Sequence, residues 1–325
     1  MSLLHPQLDR FHFVSPRIRA DLCEKDGGRF GLVPGHEYPG GHAACRLYAF
    51  LGAYANQTEC CVGCHWHFDA LTKMAYTKLI PRSTPGAKIE EISGGDHHQT
   101  YRLSIPSGSA DQYRLAQLDD YTKTPRSRFP LRRPVRLSLS ARASSTSIPG
   151  TWGFGLWNDP FGLSLGFGGT PFRLPALPNA LWFFGASPEN YLSFREDTPA
   201  QGFLAQTFRS PRFHPLLIPA GLALPFSRKA TRRLIGKVIG EDAVRLSLDV
   251  TQWHSYRLDW REDRVAFHVD DTPVFESSVS PHPPLGIVIW IDNQYAAFTT
   301  EGKIGFGVLQ NPEPAWLEVK DIDVT

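Results

Sequence analysis

Apolar and polar residues alternate through the stretch 253–271, which a polar turn divides into two halves of similar pattern. Such alternation places one set of side chains on a buried sheet face and predicts a β-hairpin. The run 285–291 is apolar almost throughout and predicts a strand buried on both faces. A third alternating stretch, 135–144, places Arg136 and Arg142 on the polar face of another strand. The pattern therefore predicts an all-β domain.

Aromatic residues mark further predicted strands. In residues 151–157 they alternate with glycine, which leaves room for a ligand or a packed ring to approach the backbone. Residues 180–186 predict a second aromatic strand, and shorter strands are expected at 191–194 and 202–208. The tryptophans of these strands and of 285–291 can stack against sugar rings, although a core position is favoured for each one taken alone. They are Trp157, Trp182 and Trp290.

One segment departs from the strand pattern. In residues 227–242 apolar side chains recur at helical spacing, basic side chains fill the other face, and Ser227 can cap the start. The sequence predicts a short amphipathic helix here. It could pack on the domain, cover a cleft as a lid, or lie on an anionic membrane. Packing on the domain is favoured because the apolar stripe is short.

Composition narrows the class of protein. The chain has 325 residues, of which 42% are hydrophobic and 20% charged, and its net charge is +2. These values are typical of a globular protein and give no general attraction for nucleic acid. The first residues lack the basic and apolar pattern of a secretory leader, and no apolar run is long enough to span a membrane. We therefore expect a cytoplasmic protein without a cofactor, with its oligomeric state left open.

The five cysteines all lie in the first 64 residues. Several of them stand near histidines and could bind zinc or an iron–sulfur cluster, but the spacing matches no standard finger or ribbon, so no metal site is expected. The side chains of this weaker alternative are Cys60, Cys61, Cys64, His65 and His67.

Methionine offers a different explanation of this N-terminal region, because Met1 and Met74 are the only two in the chain. The segment between them lacks the strand pattern found later. This break prompts the hypothesis that the native chain starts at Met74, which the mass of the native protein would test. We predict an N-terminal extension over residues 1–95 that adds no strand to the core, and a β-sandwich over residues 96–325.

The order of the predicted elements resembles family 16 glycoside hydrolases, the laminarinase-like β-glucanases. The resemblance covers roughly residues 96–325 and is moderately specific for fold. It is carried by a Trp-His-x-Tyr strand at 253–256, a Trp-x-x-Asp turn at 260–263, a Phe-x-Val-Asp strand at 267–270, a closing strand at 316–324 and a Pro-Gly-x-Trp turn at 149–152.

The resemblance implies a concanavalin A-like jelly-roll, a β-sandwich of two antiparallel sheets, here with one short helix inserted. The outward face of its concave sheet would form a sugar-binding cleft. Arg136 and Arg142 could then lie beside this cleft or on the opposite, convex sheet, because alternation does not say which sheet a strand joins.

The catalytic motif of the resembled family is missing. Retaining members carry Glu-x-Asp-x-x-Glu on one cleft-facing strand, which supplies the nucleophile and the acid/base. The best register in this chain places Tyr191 at the nucleophile, Ser193 at the aspartate and Glu196 at the last position. A solvent-facing loop acid is the alternative for Glu196, since a turn-like sequence follows it.

Other acids could replace the motif. Asp159 follows an aromatic strand, and Asp292 stands where an apolar strand becomes polar, so these two and Glu196 are the candidate catalytic residues. For Asp292 and its neighbours, a turn in which they cap the backbone is the alternative. The expected ligand contacts are Trp157, Asn158, Tyr191, Trp290, Asn293 and Gln294.

Three functions follow from these observations. Carbohydrate binding without the standard hydrolytic motif is favoured, because aromatic side chains are abundant and the catalytic acids are missing. A glycosidase or isomerase with relocated acid/base residues is the second function. The third is binding of an apolar small molecule, which the abundance of tryptophan and phenylalanine would suit.

Overall fold

The computed structural model describes residues 79–93, 99–160, 176–212, 215–218, 222 and 225–325. This part of the chain forms sixteen strands and the helix α1 (Arg228–Gly236). In chain order the strands are β1 (Ile80–Ser83), β2 (Lys88–Ser93), β3 (Gln99–Ile105), β4 (Leu115–Asp119), β5 (Val135–Ala143), β6 (Thr151–Trp157), β7 (Ala180–Ala186), β8 (Gly202–Arg209), β9 (Gly240–Arg245), β10 (His254–Trp260), β11 (Val265–Val269), β12 (Thr272–Ser277), β13 (Gly286–Asp292), β14 (Gln294–Phe298), β15 (Ile304–Val308) and β16 (Ala315–Val324).

The strands form two seven-stranded sheets and a two-stranded ribbon. Sheet A has the order β1-β4-β13-β6-β7-β8-β9, sheet B has the order β12-β11-β10-β5-β16-β3-β2, and β14 pairs with β15. The neighbouring strands of both sheets are antiparallel. The predicted fold, a jelly-roll β-sandwich of two antiparallel sheets, is confirmed.

The hairpin predicted from alternation is present as β10 and β11. Tyr256 lies opposite Val269 and Trp260 opposite Val265, so the apolar positions of both strands share one face. That face is buried, and the ring of Phe267 packs edge-on against Phe183 of sheet A. Burial of each such side chain contributes about 1.5–3 kcal/mol, so the space between the sheets is the main core of the domain.

A second apolar cluster covers the outer face of sheet A. Leu181 and Phe183 of β7 point into the space between the sheets, while Trp182 and Phe184 belong to this outer cluster. Both faces of sheet A are therefore buried. This explains the continuous apolar sequences of β7 and β13, which lack the polar alternation of the hairpin.

Helix α1 begins and packs largely as predicted. The Ser227 side chain accepts a hydrogen bond from the backbone N–H of Ala230, and Ile235 packs against the outer cluster of sheet A. Arg232, expected on a solvated face, is instead buried. Its guanidinium donates to the backbone oxygens of Ser193, Arg195 and Phe298, which fastens the helix to the sandwich.

One predicted boundary and one predicted strand are wrong. The sandwich starts before residue 96, because β1 pairs with β4 at the edge of sheet A and β2 pairs with β3 at the edge of sheet B. The strand expected at 191–194 does not form. Ser193 binds the backbone of Arg195 through its hydroxyl, which competes with strand pairing, and only Tyr191 makes a bridge, to Ala297.

The remaining N-terminal expectations, including the start at Met74, fall on residues 1–78, which lie outside the described residues. No helix in the described part of the chain combines the length and the apolar character that crossing a bilayer requires.

Candidate functional site

Three tryptophans meet on the outer face of sheet A, where strand alternation turns them outward from three adjacent strands. The ring centroids of Trp157 and Trp290 are 6.1 Å apart in a stacked arrangement. Trp182 lies 6.0 Å from Trp157 and 5.8 Å from Trp290. We call this surface, with Phe184 and Phe208 beside it, the aromatic face. The structure thus brings together the three stacking candidates of the sequence.

Glycines of β6 form the floor of the aromatic face. A Cβ atom on Gly153 would lie 3.1 Å from the ring of Trp290, and one on Gly155 would lie 2.7 Å from the Cβ atom of Trp182. Each would also come within 2.3 Å of a backbone oxygen of β7. A packed ring, one of the two uses predicted for these glycines, therefore lies close to the backbone here.

The aromatic face is largely covered. Trp157, Trp182 and Trp290 are only 9%, 4% and 6% exposed. Ile235 of α1 and the loop residues Leu192 and Phe194 pack against it, and the cover also includes Tyr113, Tyr121, Phe129 and Leu177. Tyr113 packs against the face and is half-buried, and with Tyr191 and Gln294, which are half-buried as well, it makes up what we call the rim.

Asp292 links the aromatic face to this rim. Its Oδ1 atom accepts hydrogen bonds from the Thr151 hydroxyl at 2.8 Å and from the backbone N–H of Gln294 at 3.2 Å. Its Oδ2 atom accepts from the Tyr113 hydroxyl at 3.2 Å. The indole N–H of Trp290 donates to the same Thr151 oxygen at 3.0 Å. Trp290, Thr151, Asp292 and Tyr113 therefore form one hydrogen-bonded chain, which we call the Asp292 network.

The protonation of Asp292 is set by its surroundings. Burial raises the pKa of this carboxyl to about 6, although the hydrogen bonds from Thr151, Gln294 and Tyr113 act in the opposite direction. Burial, followed by the charge of Asp292, raises the pKa of Tyr113 well above its usual range. Asp292 can thus hold or release a proton near neutral pH, whereas Tyr113 stays a hydrogen-bond donor.

Three other buried acids lie in or beside sheet A, and sequence reasoning missed them as site residues. Asp119 accepts from the Gln117 amide at 2.8 Å and from the backbone N–H of Thr122 at 2.7 Å. Burial raises the pKa of Asp120 to about 7. Burial also raises the pKa of Glu241, which accepts from the Phe194 N–H at 2.7 Å and from the Gln206 amide at 3.2 Å. For Asp119 and Asp120 the sequence did carry a signal, since two adjacent acids stand directly after the apolar residues of β4.

The other acids predicted from the sequence lie elsewhere. Glu196 is exposed and follows no strand. Asp159 is buried just after β6 in a left-handed conformation with a φ of 49°, and its backbone oxygen accepts a hydrogen bond from Arg126 at 2.5 Å. Burial and then the charge of Asp159 raise the pKa of Tyr121, whose ring lies 6.1 Å from that of Trp157. Asp292 is linked to Trp290 of the aromatic face through the Thr151 hydroxyl.

The side-chain amides of Asn293 and Asn158, two of the expected ligand contacts, are hydrogen-bonded to the protein's own backbone. Asn293 is fully buried and donates to the oxygens of Gln112 and Leu309, while its own side-chain oxygen accepts from Arg114 N–H. Asn158 donates to the oxygen of Leu177 at 2.9 Å. For Asn293 this is backbone support of the kind that the turn alternative describes.

The arginines of the 135–144 strand lie on the outer face of sheet B. Arg142 pairs with Glu318 at 2.6 Å, and Arg136 pairs with Asp259 at 2.7 Å. The sequence left open whether these arginines lie beside the predicted cleft or on the opposite sheet. They lie on sheet B, whereas the aromatic face lies on sheet A. Among the described residues, no group of His, Cys, Asp or Glu side chains could hold a metal ion, and the cysteine cluster 60–64 lies outside them.

Comparison with known families gives no matching family model, and no curated protein matches either. Solved structures do match. LamAcat from Zobellia galactanivorans is 14% identical, with 70% of this chain and 78% of that chain covered and a TM-score of 0.37. A putative β-glucanase from Mycobacterium abscessus is 13% identical, with coverage of 77% and 92% and a TM-score of 0.39.

A third match is the GH16 protein of the Bacteroides ovatus mixed linkage glucan PUL, in complex with the product G4G4G3G. It is 12% identical, with 74% of this chain and 85% of that chain covered and a TM-score of 0.41. All three matches have low identity and low TM-scores. They assign no activity to this chain.

Proposed function

We propose that this protein binds a carbohydrate at the rim of the aromatic face, on the outer side of sheet A, and that it does not cleave β-glucans by the two-carboxylate mechanism. The observation that carries the proposal is the Asp292 network. It joins a buried tryptophan cluster to a half-buried tyrosine and a carboxyl group. Aromatic rings beside a few fixed polar groups are the combination that sugar recognition uses.

The polar part of the site supplies both donors and acceptors. The Tyr113 hydroxyl and the half-buried Gln294 lie at the rim, next to Asp292. When ionised, Asp292 accepts hydrogen bonds from sugar hydroxyls, and when protonated it also donates one. With its pKa raised to about 6, Asp292 is mostly ionised at neutral pH and acts there chiefly as an acceptor for sugar hydroxyls.

The mechanism of retaining glycosidases needs a nucleophilic carboxylate and an acid/base carboxyl on either side of the scissile bond. The outward positions of β7, an interior strand of sheet A, carry Ala180, Trp182, Phe184 and Ala186, none of which is acidic. Asp119 and Glu241, on other strands of sheet A, are buried and hydrogen-bonded to the protein itself. We therefore expect hydrolysis close to the uncatalysed background.

The proposal is tested by a glycan array of β-glucans, galactans and mannans, followed by calorimetry on the glycans that bind. Gln294→Ala removes a side-chain amide from the rim and Tyr113→Phe removes a hydroxyl, and each should weaken binding by about tenfold because a hydrogen bond to the sugar is lost. Ser140→Ala, on the outer face of sheet B, is the matched control and should leave affinity unchanged. An array without a bound glycan, or affinity that survives both rim substitutions, contradicts the proposal.

The raised pKa of Asp292 also supports a second candidate, an enzyme with relocated acid/base residues. A general acid works best when its pKa is close to the operating pH, and the pKa values of Asp292 and Asp120 are raised to about 6 and about 7. Under this alternative, release of reducing sugar would be lost in Asp292→Asn and retained in Glu196→Gln.

The third candidate, binding of an apolar small molecule, would show as binding of lipids or terpenoids in a screen where every glycan fails. The cytoplasmic location and the absence of a cofactor stay predictions.

A further inference from the structure

Exposed apolar side chains cluster beside helix α1. Six large apolar side chains are exposed among the described residues, and five of them belong to two neighbouring segments. Ile218, Leu222 and Phe226, just before α1, are 59%, 69% and 90% exposed. Ile304 and Phe306, on one face of β15, are 42% and 51% exposed. Apolar groups gathered on a surface in this way mark an interaction site more often than single exposed residues do.

The turn before β15 touches the first turn of α1, which directly follows Phe226 and Ser227 in the chain. A Cβ atom on Gly302, in the turn before β15, would lie 2.8 Å from the backbone nitrogen of Lys229 in the first turn of α1. The backbone oxygen of Phe298, at the end of β14, accepts a hydrogen bond from Arg232 of the helix. Helix α1 and the β14–β15 ribbon are therefore neighbours, and we call their exposed side chains, together with Phe226, Leu222 and Ile218, the α1 patch.

Basic side chains follow the apolar ones directly. Four cations of the helix region are exposed, and the first turn of the helix contains no acid. They are Arg228, Lys229, Arg233 and Lys237. The adjoining turn adds Glu301 and Lys303, whose charges cancel, so the α1 patch keeps an excess of four positive charges.

We propose that the α1 patch binds the surface of an anionic lipid bilayer. Phe226, Leu222 and Ile218 would enter the boundary between headgroups and acyl chains, and the four cations would contact the negatively charged headgroups. Charge complementarity favours this occupant, because a bilayer offers apolar depth and negative charge side by side along one plane. Arg232, which is buried, and Ile235, which packs against the aromatic face, hold the patch on the sandwich and stay in place during binding.

The full-length protein is sedimented with vesicles of phosphatidylcholine alone and with vesicles containing about one-third phosphatidylserine. We expect binding to the anionic vesicles, weak binding to the neutral ones, and loss of binding as salt is added. Leu222→Ser combined with Phe226→Ser should weaken binding at least tenfold, since each side chain contributes about that factor when buried. Arg228→Glu combined with Lys229→Glu should weaken it by about fivefold or more per charge.

Matched controls separate the patch from general effects. Ile92→Ser removes a similarly apolar side chain that is 39% exposed on β2, in sheet B. Lys123→Glu combined with Arg128→Glu reverses two exposed charges far along the chain from α1. Both controls should bind anionic vesicles like the unaltered protein. The altered side chains are all exposed, so thermal melting should show unchanged folding for every variant.

Three results would overturn the proposal. The first is the absence of binding to anionic vesicles. The second is equal binding by the Leu222→Ser and Phe226→Ser double variant and the Ile92→Ser control. The third is self-association without lipid that the double variant abolishes, because the α1 patch would then be an interface between copies of this chain.

Discussion

Replacing Asp292 by asparagine removes a carboxyl group that the folded protein keeps protonated more readily than the unfolded chain does. Its pKa is raised from 3.8 to about 6, chiefly by burial. Between these two values the folded state binds a proton that the unfolded state has lost. The stability from this group is therefore fully present below the unfolded pKa and is lost as the pH rises through the folded pKa.

The size of the effect follows from the shift. Two pKa units correspond to about 3 kcal/mol of unfolding free energy, of which about 2 kcal/mol falls between roughly pH 4.5 and pH 7.5. Asparagine has nearly the same shape. Its side-chain oxygen can accept from Thr151 and Gln294, and its amide can donate to the Tyr113 oxygen, so the Asp292 network is preserved without the titrating group.

Urea unfolding at the two pH values measures this difference. The fall in stability from low to neutral pH should be smaller in Asp292→Asn by about 2 kcal/mol. Asp120 and Glu241, whose pKa values are also raised, are present in both proteins and cancel in the comparison. Asp263→Asn, at a side chain that is 74% exposed, is the control and should behave like the unaltered protein. An equal fall in Asp292→Asn would refute the raised pKa.

Two further substitutions test the packing that supports the aromatic face. Gly155→Ala should destabilise the protein by about 2 kcal/mol or more in urea unfolding, because the new Cβ atom would meet a β7 backbone oxygen at 2.3 Å. Gly305→Ala is the control and should have little effect, because its new Cβ atom would have its nearest neighbour at 3.4 Å. Arg232→Met should lower the free energy of unfolding by about 2–4 kcal/mol, because it leaves buried backbone oxygens without a donor. It should also increase hydrogen exchange in residues 191–195. Arg233→Met, at an exposed side chain of the same helix, should change neither quantity.

Alternation predicted most of the sandwich because most strands carry one buried face. The hairpin of β10 and β11 is an example, since its buried residues stand at every second position. β1 and β2 were not predicted, because their sequences lack a regular alternation of apolar and polar residues. Both are edge strands, and their sequences Ile-Pro-Arg-Ser and Lys-Ile-Glu-Glu-Ile-Ser contain the proline and charges that edges tolerate.

The candidate site was only partly predictable. Trp157, Trp182 and Trp290 stood out because aromatic residues on adjacent strands of one sheet come together when the register is right. The hydrogen-bond partners of the acids could not be foreseen, because they come from distant parts of the chain. Asp292 is bonded to Tyr113 and Thr151, and Asn293 to the backbone near residues 112–114 and 309. Sequence position alone does not distinguish a polar residue that faces a ligand from one that supports the backbone.

The central claim is binding of a carbohydrate without hydrolysis, and titration of the intact protein with β-glucan oligosaccharides tests it most directly. Tryptophan fluorescence reports binding near the aromatic face, and reducing ends are assayed in the same samples. We predict a saturable fluorescence change that Gln294→Ala weakens, with no reducing ends above background. Sustained release of reducing ends that disappears in Asp292→Asn would contradict the claim.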